Sequence, residues 1–377
     1  MRAIFIIASN VNGALSAKEA DTQSAPTRSA LNAELRMTLI LFGGCYNRLD
    51  CMAKRKVEDE LVQLSALRTS VPPEAAIAPL KKALRDPINV IAARAAKVSA
   101  ELNLKPLIPD MLAAFDRLLR DPVKSDPQCW GKNAVSKALK DLGHADSAVF
   151  VRGLRHIQME PVWNGREETA AVLRASCALA LVQCNDIPLQ AMHTCLVDAM
   201  GDQAAVVRVD AARALAELGT PEAILLLRLK ARVGDKESSV TGEVLGFLLH
   251  LEENHAVDFT GSFLDHPDEA VREEAALALG ASRLEPAIVY LQDRWQTRAA
   301  GDLADVLIRA IGVSRLDCAV QFLIAIVRGA PSREALSALQ MLAAHRDSPN
   351  LMDRLTEAVN SRRENEIHAY FRGHLLG

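Results

Sequence analysis

Apolar residues recur at helical spacing through most of the chain, as the stretch GDQAAVVRVDAARALAELGTPEAILLLRLK (201–230) illustrates. It has an acidic turn at Asp202, then Val207 and Arg208, then a face of alanines and leucines. This spacing indicates amphipathic helices. Few segments alternate apolar and polar residues with the period of two that is typical of strands. The pattern predicts paired helices, neither of which can bury its apolar face alone.

The same pattern is repeated along the chain. VRVDAARALAELGTPEAI (207–224) aligns without a gap on VREEAALALGASRLEPAI (271–288), a shift of 64 residues. Further copies place seven residues at one equivalent position, namely Ala92, Lys132, Arg174, Arg208, Thr241, Arg272 and Ala304. Internal repeats of this length are the signature of a solenoid. We therefore predict an all-α fold, an α-solenoid of about eight helix pairs.

These repeated residues resemble the HEAT repeat, and more narrowly the HEAT-like repeats of phycobilisome-lyase-type proteins. The shared features are the acidic turn, Val-Arg and Ala-Ala-x-Ala-Leu, and the resemblance covers about residues 73–346. It implies a right-handed superhelix whose second helices line the concave side. It also implies that Arg174, Arg208 and Arg272 form a ladder with turn acids that include Asp202 and Asp268. Arginines in such a ladder hold repeats together and are poor candidates for catalysis.

Residues 1–51 do not fit the repeat. Their first twenty residues, MRAIFIIASNVNGALSAKEA, faintly resemble a signal peptide, but the apolar run is short and interrupted. The stretch MAKRKVEDELVQLSALR, from Met52, has the form of a natural start followed by an amphipathic helix. We expect residues 1–51 to be a disordered or wrongly annotated extension, and residues 52–377 to form the solenoid.

Composition argues against several kinds of function. The chain has 44 basic and 47 acidic residues, whereas a protein that binds nucleic acid without sequence specificity normally has an excess of basic residues. No apolar run reaches the roughly 20 residues of a membrane span. The seven cysteines include no C-x-x-C pair. A soft-metal group could still form from His193, Cys177, Cys184 and Cys195, but buried cysteines commonly act as small apolar residues. We expect a cytoplasmic protein without metal, cofactor or membrane contact.

No familiar catalytic motif is present in the sequence. It lacks a phosphate-binding G-x-x-x-x-G-K-[ST] loop, a G-x-S-x-G elbow and an H-E-x-x-H helix. These absences predict that the chain is not an enzyme. Two enzymatic alternatives stay open by resemblance. One is a phycobilin-lyase-like enzyme or enzyme subunit, and the other is a HEAT-like DNA-binding protein or glycosylase, for which Trp130 and Trp295 are the available aromatic residues.

The favoured function is a scaffold or adaptor that binds a protein or peptide in the concave groove. Projecting positions of the second helices are basic in early units (Arg94, Lys97, Lys132, Lys137, Lys140) and acidic in later ones (Asp210, Glu217, Glu243, Glu273, Glu274). Small and apolar residues interrupt the later charges, which predicts a strip suited to a protein partner. The predicted contacts are Leu277, His250, Arg309, Glu243 and Glu274. Burial of Leu277 against the next unit is the alternative.

One irregular insertion adds a further candidate. The long spacing before Arg174 contains HIQMEPVWNGREET (156–169), a turn-rich stretch. Trp163 within it either packs against the solenoid, which is the favoured interpretation, or projects as an anchor of the kind found in interfaces. We include it among the predicted partner contacts.

Overall fold

The computed structural model describes residues 48–298, 303–345 and 348–375. These residues are helical almost throughout, which confirms the prediction of an all-α solenoid. The chain divides into two compact units, Met1–Gln63 and Leu64–Gly377, and the repeats lie in the second. The boundary falls within the long helix α1 (Arg48–Ser70). Residues 1–47 lie outside the described residues. The expectation that residues 1–51 are a disordered or wrongly annotated extension therefore stays a prediction.

Each repeat consists of a first and a second helix. The first helices are α2 (Pro73–Leu84), α4 (Ile108–Arg120), α7 (Ser147–Leu154), α9 (Leu189–Met200), α11 (Pro221–Val233), α13 (Val257–Gly261), α15 (Glu285–Arg298), α17 (Asp317–Gly329) and α19 (Pro349–Asn360). The second helices are α3 (Asn89–Glu101), α6 (Trp130–Asp141), α8 (Ala171–Leu181), α10 (Ala205–Leu218), α12 (Ser238–Glu252), α14 (Glu269–Ala281), α16 (Ala304–Ser314), α18 (Ser332–Leu342) and α20 (Asn365–His374). A short helix α5 (Pro122–Ser125) lies between α4 and α6. The described residues thus contain nine pairs.

Local sequence explains where one repeat ends and the next begins. Helix α10 stops at Leu218 because Gly219 adopts a left-handed conformation with φ of 61°. Helix α11 then begins with Pro221, whose missing N–H costs nothing at that position. The Thr220 hydroxyl caps α11 by accepting a hydrogen bond from the Ala223 amide at 3.2 Å. This tight turn joins the second helix of one repeat to the first helix of the next.

The second helices form one continuous row, in which each packs against the next from α3 to α20. Small residues make this close approach possible, since Ala211, Ala212 and Ala275 are fully buried. Helices α14 and α16 approach closely at Gly280, where a side chain would overlap the backbone carbonyl of Ala310. We call this array the second-helix row.

Two rungs of the predicted ladder of arginines and acids are present. Arg174 donates to Asp202 from Nε and Nη2 at 2.7 and 3.0 Å. Arg208 donates to Asp235 at 2.8 and 2.6 Å, and both side chains are almost fully buried. Although burial opposes ionisation, the hydrogen bonds from the guanidinium groups lower the pKa of both carboxyl groups. Each rung ties one second helix to the turn of the following repeat.

The ladder stops where the sequence changes. In the next unit Thr241 occupies the arginine position, and its buried hydroxyl has no hydrogen-bond partner among the described residues. The preceding repeat therefore offers no arginine to form an ion pair with Asp268. Asp268 instead caps α14 by accepting a hydrogen bond from the Ala270 amide at 2.9 Å. Arg272 donates to the carbonyls of His266 and Pro267. The predicted ladder was therefore wrong at Asp268, because threonine is too short to reach the next turn.

The insertion folds as a β-hairpin, which the prediction of a purely helical chain missed. Strands β1 (Met159–Val162) and β2 (Gly165–Glu168) pair antiparallel, with Met159 opposite Glu168 and Val162 opposite Gly165. Trp163 and Asn164 form the turn, and Gly165 adopts φ of 148°, a value that other residues rarely accept. The hairpin replaces the short turn that joins the first and second helices in other repeats.

Candidate functional site

The predicted contacts on the later repeats do lie on neighbouring second helices. Glu243 and His250 are on α12, Glu274 and Leu277 on α14, and Arg309 on α16. His250 and Arg309 are exposed, whereas Leu277 is only half-buried. Burial of Leu277 was the alternative, and its partial exposure leaves it accessible to a partner. We call these five residues the acidic-apolar strip.

Two carboxylates give the strip its electrostatic character. Burial raises the pKa of Glu243, an effect that Arg213 partly offsets. Burial also raises the pKa of Glu274, and the nearby charges of Glu243 and Glu273 raise it further. Neither Glu243 nor Glu274 has an ion pair within 4.0 Å in the described part of the chain. A ligand that brings positive charge to this strip would relieve both the burial and the mutual repulsion.

The backbone next to these carboxylates leaves room for a ligand. Glu274 packs directly over Gly242, where a side chain of any size would collide with the glutamate. A side chain at Gly246, one turn further along α12, would meet nothing within 4 Å. Nη2 of Arg309 lies 3.9 Å from Oε1 of Glu273, a distance that leaves the guanidinium group available to a ligand. The strip is thus an open surface bordered by charges of both signs.

Lys132 is not part of any exposed basic surface, contrary to the sequence-based expectation. Its side chain is fully buried and its Nζ lies 3.0 Å from Oδ2 of Asp126, which is also fully buried. The same carboxylate accepts from the amides of Gly131 and Lys132 and from Nδ2 of Asn89. Lys132 occupies the position that arginine has in other repeats. It pairs with Asp126 in the turn of its own repeat, whereas Arg174 and Arg208 pair with an acid in the turn of the following repeat.

A buried polar network fixes the hairpin to this ion pair. The carboxylate of Glu160 accepts from the Gln128 amide at 2.6 Å, from Nε2 of Gln158 at 2.6 Å and from the Thr169 hydroxyl at 2.7 Å. Nε2 of Gln158 also donates to the backbone carbonyl of Asp126 at 2.9 Å. On the other strand, Glu168 accepts from Arg174 at 2.9 Å. The base of the hairpin is therefore held by a network of hydrogen bonds to the neighbouring repeat.

Trp163 projects from the opposite end of the hairpin. Its side chain is 98 % exposed, so the favoured interpretation that it packs against the solenoid was wrong. The tight two-residue turn explains this, because it places Trp163 beyond the last strand pair. Trp163 lies on the hairpin between α7 and α8, apart from the acidic-apolar strip, so the structure does not bring the six predicted contacts together.

The described residues contain no group of three or more His, Cys, Asp or Glu side chains that could hold a metal ion. Cys177, Cys184 and Cys195 are buried and free, and burial raises the pKa of the Cys184 thiol to about 11. Trp295 packs edge-on against Phe322, which makes it a poor platform for stacking a base. Within the described ranges, no helix combines the length and apolar character required to cross a bilayer.

A comparison with protein families finds one match, to the model described as the PBS lyase HEAT-like repeat, over residues 207–229. The matched segment runs from Val207 in α10 into α11, and it contains the Arg208 rung. Residues 207–229 are thus similar to a HEAT-like repeat of the PBS lyase type. The resemblance noted in the sequence is therefore confirmed over this segment. No curated protein matches this chain.

Solved structures similar to this chain have low sequence identity. One is the complex of CpcE and CpcF of phycocyanin lyase from Nostoc sp. PCC7120, which is 18% identical with a TM-score of 0.30 and covers 78% of this chain and 95% of that chain. Another is an engineered protein, 16% identical with a TM-score of 0.34, covering 84% of this chain and 98% of that chain.

The prediction that the chain is not an enzyme is contradicted by these comparisons. The matching repeat is described as that of a lyase. The prediction rested on the absence of familiar catalytic motifs. That reasoning was wrong because the repeat itself occurs in proteins described as lyases.

Proposed function

We propose that this HEAT-repeat protein binds a partner protein through the acidic-apolar strip of its second-helix row, and that the bound segment carries basic side chains. The observation that supports the proposal most directly is the pair of carboxylates Glu243 and Glu274, whose pKa values are raised and which lack an ion pair among the described residues. Basic side chains of a partner would complete this surface. Leu277 supplies an adjacent apolar contact.

The side chain of Arg309 orients such a segment. It borders the strip on α16, while the carboxylates lie on α12 and α14. A basic residue of the partner is attracted to the carboxylates and repelled by Arg309, which fixes its position along the row. The exposed imidazole of His250 at the end of α12 offers a further hydrogen-bonding group.

A direct test measures binding of fluorescent oligolysine to the full chain, with oligoglutamate of equal length as the reference probe. We expect oligolysine to bind, and the Glu243→Gln/Glu274→Gln variant to bind about tenfold more weakly, since two half-buried carboxylates each lose an ion pair of about 0.7 kcal/mol. Glu222→Gln, at an exposed position on the first helix α11, is the matched control and should change nothing. If the Glu243→Gln/Glu274→Gln variant binds oligolysine as tightly as the Glu222→Gln control does, the proposal is contradicted.

The same double variant should remain folded. A raised pKa means that the neutral carboxyl group is favoured in the folded protein, so ionisation of Glu243 and Glu274 costs stability as pH rises above about 4.5. The two amides should therefore increase the free energy of unfolding at pH 7 by less than about 1 kcal/mol. The difference should vanish below about pH 4. A loss of stability at pH 7 would mean that the carboxylates have structural partners instead.

A second candidate function is a subunit of a lyase that attaches a tetrapyrrole pigment to a protein. It is favoured by the PBS lyase description of the repeat that matches residues 207–229. The test adds a bilin to the full chain and records the visible absorbance spectrum before and after denaturation. A spectral change on mixing supports this candidate, and an unchanged spectrum argues against it.

A further inference from the structure

An open cavity of about 520 Å³ lies near the C-terminal end of the second-helix row. Five residues of α18 line it, together with Asp305 of α16 and Glu366 of α20. We call it the α18 cavity. Its volume is within the roughly 300–1,000 Å³ of ligand-binding cavities. Leu336 is the one apolar side chain of the lining, so a ligand would be held mainly by charges and hydrogen bonds.

Side-chain contacts lead from the acidic-apolar strip to the helix that borders this cavity. Glu274 of α14 packs on Gly242 of α12, and its neighbour Glu273 lies 3.9 Å from Arg309 of α16. Asp305 precedes Arg309 by one helical turn, so the two side chains lie on the same face of α16. The strip and the α18 cavity therefore share one face of α16.

The charges of the cavity lining leave one carboxylate without a partner. Asp305 is occupied, since it accepts from Oγ of Ser337 at 3.0 Å and lies 2.5 Å from Nη2 of Arg333. Glu366 is exposed and has no ion pair within 4.0 Å among the described residues. With Arg333 neutralised by Asp305, the remaining charge of the lining is negative. The half-buried Leu336 offers apolar surface to the aliphatic stem of a long basic side chain.

We propose that the α18 cavity receives a further basic side chain of the partner segment that binds the acidic-apolar strip, with Glu366 as its ion-pair partner. This inference rests on the proposed binding function, and it adds the place and the spacing of a third basic residue. Glu366 resembles Glu243 and Glu274 in having no ion pair in the described part of the chain. Charge complementarity therefore favours lysine or arginine opposite all three carboxylates.

The order of the helices predicts how far apart these basic residues are in the partner. Packed helices are roughly 8–10 Å apart and an extended chain advances about 3.3 Å per residue, so each helix of the row corresponds to about three residues. Glu243 and Glu274 lie on adjacent helices of the row, and Glu366 lies three helices beyond Glu274. A segment that crosses from α12 to α20 then carries basic residues at about its first, fourth and twelfth positions. The residue opposite Arg309, at about the seventh position, is acidic or neutral.

Fluorescence anisotropy with the full chain and three synthetic peptides tests this spacing. The probe is a labelled twelve-residue peptide of glycine and serine, with lysine at the first, fourth and twelfth positions and glutamate at the seventh. One reference peptide has glutamine at the twelfth position. The other moves that lysine to the eighth position and so keeps the same net charge. We expect the probe to bind about threefold more tightly than either reference, which is the effect of one exposed ion pair.

Glu366→Gln should abolish the advantage of the probe and leave the affinities for both reference peptides unchanged. The variant should remain folded, because Glu366 is exposed and unpaired among the described residues, and far-UV circular dichroism checks this. Glu222→Gln, at an exposed position on α11, is the matched control and should preserve the advantage.

The outcomes separate this inference from the proposed binding function. Suppose that the probe and both references bind equally, and that all three lose affinity in Glu243→Gln/Glu274→Gln. The strip then binds a basic segment without help from the α18 cavity, which overturns this inference alone. If none of the peptides binds, both proposals are overturned. A preference for the probe that persists in Glu366→Gln also overturns the inference.

Discussion

Replacing Asp126 with alanine should lower the free energy of unfolding by about 5 kcal/mol, the upper end of the range for breaking a buried ion pair. The reason is that Lys132 would keep its fully buried ammonium group with only the Leu118 carbonyl, 3.4 Å away, as a partner. The amides of Gly131 and Lys132 would also lose their acceptor. Urea denaturation followed by circular dichroism measures the change.

The control for this experiment is Asp258→Ala, at an exposed position on α13, which should change the free energy of unfolding by no more than about 0.5 kcal/mol. The double variant Asp126→Leu/Lys132→Met is a second check. It replaces both charges by apolar groups of similar size, and should recover much of the lost stability. Equal stability of Asp126→Ala and the unmodified protein would show that the ion pair is absent in solution.

Replacing Arg208 with alanine should cost about 3 kcal/mol, towards the lower end of the same range. Asp235 would lose its bidentate partner but keep Lys230, whose Nζ is 2.8 Å from Oδ2. Arg272→Ala is a matched control, because Arg272 donates only to backbone carbonyls in the described part of the chain. The cost there should be clearly smaller, about 1 kcal/mol. Similar costs at both positions would mean that the carboxylate rung adds nothing.

The Arg208 rung also predicts a dependence on pH. Burial opposes ionisation of Asp235, but hydrogen bonds from Arg208 and Lys230 hold its pKa well below the ordinary value of 3.8. The stability that this carboxylate contributes is therefore complete above about pH 4, and it is lost as pH falls further through the lower folded-state pKa. In Arg208→Ala the folded-state pKa moves back towards its ordinary value. The variant should consequently lose less stability than the unmodified protein between neutral and acidic pH.

The repeat register could be predicted from the sequence because the residues that stack the repeats are also the residues that recur. Arg174, Arg208 and the buried alanines of α10 and α14 occupy the expected places, since the same small-residue face is required wherever one second helix packs on the next. Asp202 could be found in the same way. Asp268 could not, since its role depends on Thr241 in the preceding repeat, where the pattern changes.

The hairpin was harder to predict because its strands have only four residues each and β1 contains Pro161, a residue that disfavours strands. Its signals were Trp163-Asn164-Gly165 as a turn and Val162 before it, too short a pattern to distinguish from a loop. The network around Glu160 gave no signal, because its partner Gln128 is 32 residues away in the sequence and Thr169 lies beyond the other strand of the hairpin. Only the fold brings them together.

The acidic-apolar strip was predicted from the register alone, and only part of its character could be foreseen. Glu243 and Glu274 project from adjacent helices, as expected from a shift of one repeat. Their raised pKa values depend on burial and on the close approach at Gly242, which a sequence pattern does not reveal. Lys132 was predicted to project from its helix as part of a basic surface. The structure instead places its side chain in a buried ion pair with Asp126.

The proposed binding function is tested most directly by affinity capture with the immobilised full chain from an extract of its own cells. Three proteins are compared: the unmodified chain, Leu277→Asp, and the control Val289→Asp on the first helix α15, with helicity checked for each. We predict that the unmodified chain and the control retain the same partner protein, which Leu277→Asp loses while it stays folded. Retention of that partner by Leu277→Asp, or recovery of only a tetrapyrrole or nucleic acid by the unmodified chain, would contradict the proposal.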